Sequence, residues 1–194
     1  MQISPTNLNL VIPIRTDEAG NPTVYAYHTP ISREVFEANY RIIAATQVAL
    51  SGKGAIGIRI ATLALKDAAA QDALAQGQAP PTTVPLLAHI YRLTHVLAPT
   101  PAGYVPMPVN SAIVGGIIDA DEWSEAESAC VFFTCALALV PKAARQALAQ
   151  SLASVMRGSI TPSTPTVYAA GLATSTPAET SAEPVTETPS GVPQ

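Results

Sequence analysis

Residues 129–140 read ACVFFTCALALV, an uncharged and almost wholly apolar run with a cluster of carboxylates before it and Pro141 after it. A helix that is apolar on every side is stable only where every side is covered. The run is well short of the roughly 20 apolar residues that cross a bilayer, so it reads as the central helix of a protein core. The rest of the chain must supply what packs around it. Asp119 and Glu122 stand three apart as a capping pair, and Asp121, Glu122, Glu125 and Glu127 load the first turns, where the helix dipole favours anions. Capping explains this acidic cluster better than metal or acid–base chemistry, because no histidine accompanies it.

The segments on either side carry their own periodicities. Residues 8–15, LNLVIPIR, alternate Leu8, Leu10, Ile12 and Ile14 with Asn9, Val11, Pro13 and Arg15, the period of a strand. The turn formers TDEAGNP and a second β-prone run, TVYAYH, complete a hairpin over residues 8–28. Pro13 has no N–H for a ladder, which places the first strand at an edge or a bulge. A helix over 32–50 opens on Ser32 as cap, with Ile31 set to staple Phe36. A second helix, 55–76, is expected to turn Ile56, Ile60, Leu63 and Leu74 inward and Arg59, Lys66, Asp67 and Asp72 outward. A third, 83–97, has Pro85 in its first turn and Leu86, Ile90, Leu93 and Leu97 as its inner seam. Residues 98–110 hold four prolines and read as an extended surface connector. The central helix spans about 120–140, and a last helix, 141–157, carries the stripe Ala144, Leu148, Leu152, Val155 and Met156.

The expected fold is therefore mainly α, within the α+β class: an N-terminal hairpin on a bundle of about four to five helices. The folded domain would be 1–157. Residues 158–194, rich in Ser, Thr, Pro and acidic side chains, have the composition of a disordered tail, broken by a short docking helix at 164–173 with Val167, Tyr168 and Leu172.

Composition narrows function mainly by exclusion. Charged residues are only 12% of the chain and aromatics 5% against 48% hydrophobic, so helices pack through small side chains, and the weakly charged surface suits a protein held against a partner. Compositional drift in an Ala-rich genome accounts for it equally well. The net charge is −4, and every Lys and Arg lies at or before Arg157. No basic stripe is available to neutralise phosphates, so nucleic acid is not an expected partner. A membrane is not expected either. Cys130 and Cys135 lie about 140° apart around one helix, read as small buried groups, and fit a reducing compartment. No N-terminal signal peptide is recognisable, which points to cytoplasmic synthesis.

Motifs of chemistry are scarce. SGKG at 51–54 lacks both the earlier Gly and the following Ser or Thr of a phosphate loop. His89 and His95 fall on different helix faces with no carboxylate at ligand spacing. No nucleophile elbow or hydrolytic triad emerges, so neither an enzyme nor a cofactor is expected. Candidate partner-binding residues are Tyr104, Val105 and Met107, apolar within the proline-rich connector, and the single tryptophan, Trp123, among its carboxylates. For all four the competing role is attachment to the protein's own core.

Two stretches carry a resemblance. Residues 27–37, YHTPISREVFE, after the hairpin, and residues 131–134, VFFT, in the acid-capped helix, resemble a group of small proteins encoded in the tail modules of long-tailed bacteriophages and taken as tail assembly chaperones. The resemblance covers about the first 157 residues and a polar tail. It implies a protein of the host cell cytoplasm that binds the tape measure protein and helps recruit tail tube subunits. It also implies that a ribosomal frameshift near the gene's end can yield a longer form. The alternatives are a structural minor tail or connector protein, whose edge hairpin joins a neighbour's sheet, and a cellular helical adaptor. Self-association is open in each case.

Overall fold

In the computed structural model, which describes residues 8–172, seven helices and a five-stranded antiparallel sheet form an α+β fold. The elements in chain order are β1 (Asn9–Thr16), β2 (Pro22–His28), α1 (Arg33–Leu50), α2 (Gly54–Ala75), α3 (Pro85–Arg92), β3 (Thr94–Thr100), β4 (Gly103–Pro108), α4 (Val109–Val114), α5 (Ala120–Ala138), α6 (Lys142–Val155), β5 (Ser159–Thr161) and α7 (Pro165–Ala170). The sheet order is β4-β3-β2-β1-β5.

The alternation in β1 divides the sheet's two faces. Leu10 and Ile12 join Val24, Ala26 and Val96 in the main core, whereas Val11 joins Tyr27 and Leu97 in a smaller core on the opposite face. α5 sits in the main core, with Trp123, Ala126 and nearly every residue from Ser128 to Leu137 buried. Its capping box is complete: the Asp119 carboxylate accepts from the Glu122 amide at 2.8 Å, and Glu122 accepts from the Asp119 amide at 2.9 Å. Glu122 also takes a bidentate pair from Arg15, at 2.8 and 2.7 Å, tying the hairpin to the helix start. Pro13 lies where the β1–β2 register slips, as a bulge requires.

The sheet is the first correction to the sequence reading, which had a hairpin alone. Residues 83–97 are not one helix: α3 ends at Arg92 and the chain turns directly into β3, where Thr94 to Leu97 pair with Tyr25 to His28. The run THVL has strand period, Val96 facing the main core and Leu97 the small one, and the open side of β2 supplies the ladder that outweighs helix propensity. Residues 98–110 are not a surface connector: β3 and β4 form a hairpin closed at Thr100–Gly103, where Gly103 takes φ 115°, and Val109 and Asn110 begin α4. Pro106 and Pro108 leave β4 short of donors, which fits its place at the sheet edge. β5 covers the first hairpin's outer strand from Asn9 to Val11, and the end strands of the sheet are β4 and β5.

The folded body also runs past Arg157. β5 adds to β1, and Gly158 makes this possible, because a Cβ there would run into the Val11 carbonyl and the Ile12 side chain. α7, capped by Thr164, lies on the far face of the sheet, with Ala169, Tyr168 and Leu172 in the small core and the Tyr27 hydroxyl donating to the Ser163 carbonyl. The portion of the expected disordered tail from 173 to 194 lies outside the described residues.

Two helices seat small residues deepest where the sequence reading put large ones, although Arg59, Lys66 and Asp67 of α2 point outward and Ile60 packs on the main core as expected. α2 buries Gly57, Ala61, Thr62, Leu65, Ala68 and Ala69, while Ile56, Leu63 and Leu74 are 67%, 66% and 54% exposed. The cause is close approach to its neighbours: a Cβ on Gly57 would stand 3.3 Å from both the Leu50 carbonyl and the Phe132 ring, so only small residues fit on the contact face. α6 packs Leu152 and Met156 of its expected stripe on the main core, but buries Ala149 and Ala153 most deeply and leaves Val155 exposed.

Candidate functional site

A cleft of about 500 Å³ lies between the start of α1, the last turns of α5, and Arg145 of α6. Its apolar lining is Leu8, Ile31, Phe36, Phe133, Leu137 and Ala138. Sequence order dictates its shape. Ser32 starts α1 by accepting from the Val35 amide at 3.3 Å, which turns Ile31 and Phe36 toward α5. Phe133 and Leu137, one helical turn apart, form the opposite wall. The rim is charged: Arg33 pairs with Glu37 at 2.6 Å, and Arg145 donates Nε to the Val140 carbonyl at 2.9 Å, with no carboxylate in salt-bridge range among the described residues.

Behind the cleft lies a buried polar chain. His28, fully buried, contacts Thr94 Oγ1 through Nδ1 at 2.9 Å and Thr134 Oγ1 through Nε2 at 3.0 Å. Thr94 gives its hydroxyl proton to the Ile90 carbonyl at 2.8 Å, so it must accept at Oγ1 and Nδ1 must carry the imidazole proton. Nε2 then accepts from Thr134, which lines the cleft. Burial pushes the His28 pKa down to about 3, so the ring is neutral at pH 7. The Thr134–His28 pair has the spacing of a nucleophile and its base, but an imidazole this reluctant to take a proton is a poor base. It is a structural link between β2, β3 and α5.

No protein-family model, curated protein or solved structure matches the chain.

The four residues singled out from sequence do not form one surface. Tyr104 lies on the small-core face, edge-on to Tyr25 with ring centroids 5.9 Å apart. Met107 packs on the main core, and Val105 between them is 42% exposed. Trp123 is 8% exposed and edge-on to Tyr91 at 5.4 Å, so a partner would have to displace core packing to reach it. His89 and His95 fall in α3 and β3, and no group of three metal-ligating side chains exists among the described residues. No described helix is long and apolar enough to cross a membrane. What the sequence reading missed is the His28–Thr94–Thr134 chain. Its members are far apart in sequence, with no spacing rule to connect them.

Proposed function

We propose that the protein is a tail assembly chaperone of a long-tailed bacteriophage, acting in the host cytoplasm to hold the tape measure protein and help recruit tail tube subunits. One observation carries this reading. The two stretches that bear the resemblance build the same cleft: Ile31, Ser32, Arg33, Phe36 and Glu37 come from the first, Phe133 and Thr134 from the second. A buried hydrogen bond joins them across 106 residues of sequence, from His28 to Thr134. Motifs that converge in this way shape a common surface.

The chemistry suits holding. A recess of this size takes one or two bulky apolar side chains from a client, while Arg33, Glu37 and Arg145 leave its mouth wet. Binding of that kind draws on burial of apolar area and needs no cofactor or covalent step. The competing virion component would use the first hairpin as an edge, and β5 already occupies Asn9 to Val11 of that edge. Co-expression tests the proposal. The tape measure protein of the same virus should be recovered soluble and in complex with this chain, and insoluble without it. A client equally insoluble in both cases would refute the proposal.

A further inference from the structure

We infer that the outer face of α2 is a docking strip for an amphipathic helix of another protein, one with an apolar seam, acidic residues along its flank and a basic residue near its centre. Ile56, Ile60, Leu63, Asp67, Ala70 and Leu74 follow one another at intervals of four and three, the spacing of a coiled-coil seam. Ile56, Leu63, Asp67 and Leu74 are exposed on the side of α2 away from its buried Gly57, Ala61, Leu65 and Ala68, while Ile60 and Ala70 between them are half-buried, Ile60 against the main core. At 1.5 Å per residue the strip is about 27 Å long. With Ile56, Leu63 and Leu74 each more than half exposed, it offers roughly 400 Å² of apolar surface, comparable to the largest patch of a typical monomer, which is often functional. Local structure does not require these residues, since alanine would serve an exposed helix position better.

Charge and area select the occupant. Arg59 and Lys66 are exposed along one flank of the strip, and Asp67 is exposed within it. Lys66 faces Glu127 of α5, whereas Arg59 and Asp67 form no ion pair among the described residues. A second copy of this chain fits poorly. Antiparallel two-fold pairing brings each flank against itself, Arg59 and Lys66 facing the same two residues of the copy, and parallel pairing sets Asp67 against Asp67. The strip alone is also about half of the roughly 800 Å² per partner of a stable protein pair. A single foreign helix meets all three conditions: it fits the length, its acidic flank answers Arg59 and Lys66, and its basic residue answers Asp67. This deepens the proposed chaperone function by giving the client a chemistry, and rests on that reading only for which protein carries the helix.

The test uses the full chain and two labelled synthetic helical peptides of about 21 residues, long enough to follow the strip. One has a leucine seam, glutamate flanks and a central lysine; the other has lysine flanks and a central aspartate. Fluorescence anisotropy at low salt should show the first binding at least about tenfold more tightly than the second. Leu63→Asp, at an exposed position, should abolish that binding with the circular dichroism melt unchanged, and Arg59→Glu should narrow or reverse the preference. Equal affinity for the two peptides, or binding of neither, overturns the inference. So does self-association in sedimentation that Leu63→Asp removes, which would assign the strip to a second copy. Peptide failure with a client still solubilised on co-expression removes this inference alone. Peptide binding with an insoluble client removes the chaperone reading alone.

Discussion

Replacing His28 by glutamine should remove a pH dependence that the wild-type fold carries. In the native state the ring is fully buried, both nitrogens are occupied by threonine hydroxyls, and its pKa is held near 3. In the unfolded chain it returns to about 6.5. The depressed value means that the unfolded state takes up a proton which the folded state refuses, so stability is fully present above pH 6.5 and is lost as pH falls toward 3. The loss is about 1.4 kcal/mol per pH unit, or about 2 to 3 kcal/mol between pH 6.5 and 4.5. Urea unfolding of both proteins at half-unit steps from pH 7.5 to 4.5 measures it. Carboxylates and the other two histidines are common to both chains and cancel in the difference. The wild type should show the extra slope and His28→Gln should lack it, while being less stable at pH 7 because its amide cannot satisfy both hydroxyls in the same geometry. Parallel curves would mean that His28 titrates normally in the fold, and the buried chain behind the cleft would be wrong.

The other predictions concern packing and access. Ala61→Leu should cost about 1 to 3 kcal/mol by overpacking the α1–α2–α5 contact, whereas Leu63→Ala should stay within about 0.5 kcal/mol; denaturant unfolding giving the reverse order would turn α2 around. Gly158→Ala should destabilise by about 1 to 3 kcal/mol, because the new methyl meets the β1 backbone, and amide exchange should accelerate at Ser159 to Thr161. An unchanged exchange pattern would show that β5 does not depend on this approach. Cys130 and Cys135 are buried, with thiol pKa values pushed up to about 12 by burial, so a thiol reagent at pH 8 should label neither in the native state and both in urea. Rapid native labelling would contradict the packing of α5.

The sequence made the centre of the fold legible and left its periphery obscure. The uncharged run of α5, its Asp119–Glu122 cap, the alternation of β1 and the Ser32 start of α1 are local signals. Each is decided by residues within a turn or two. The sheet was hidden because β3 needs β2 for a partner: Thr94 to Leu97 extend the leucine pattern of α3 as naturally as they form a strand, and only the open ladder of Tyr25 to His28 decides between them. The deepest positions of α2 and α6 differ from the expected ones for a related reason, although Leu152 and Met156 of the α6 stripe do pack on the core. Periodicity ranks positions by hydrophobicity, but close helix packing ranks them by size, and at Gly57 and Ala153 small wins. Of the site, the cleft itself was not legible: Ile31 and Phe36 read as a staple of α1 and Phe133 as core, and none of Tyr104, Val105, Met107 and Trp123 lines it. Neither was the His28–Thr94–Thr134 chain, because tertiary structure alone brings its members together.

On the proposed function, this protein holds a client during assembly and then departs. Quantitative mass spectrometry of purified virus particles beside lysate of the producing cells tests it most directly. The account predicts abundant peptides of this chain in lysate, including those of a form reading past its C-terminal region, and none in particles. Fixed, stoichiometric presence in the particle would contradict it and make the protein a structural component of the tail.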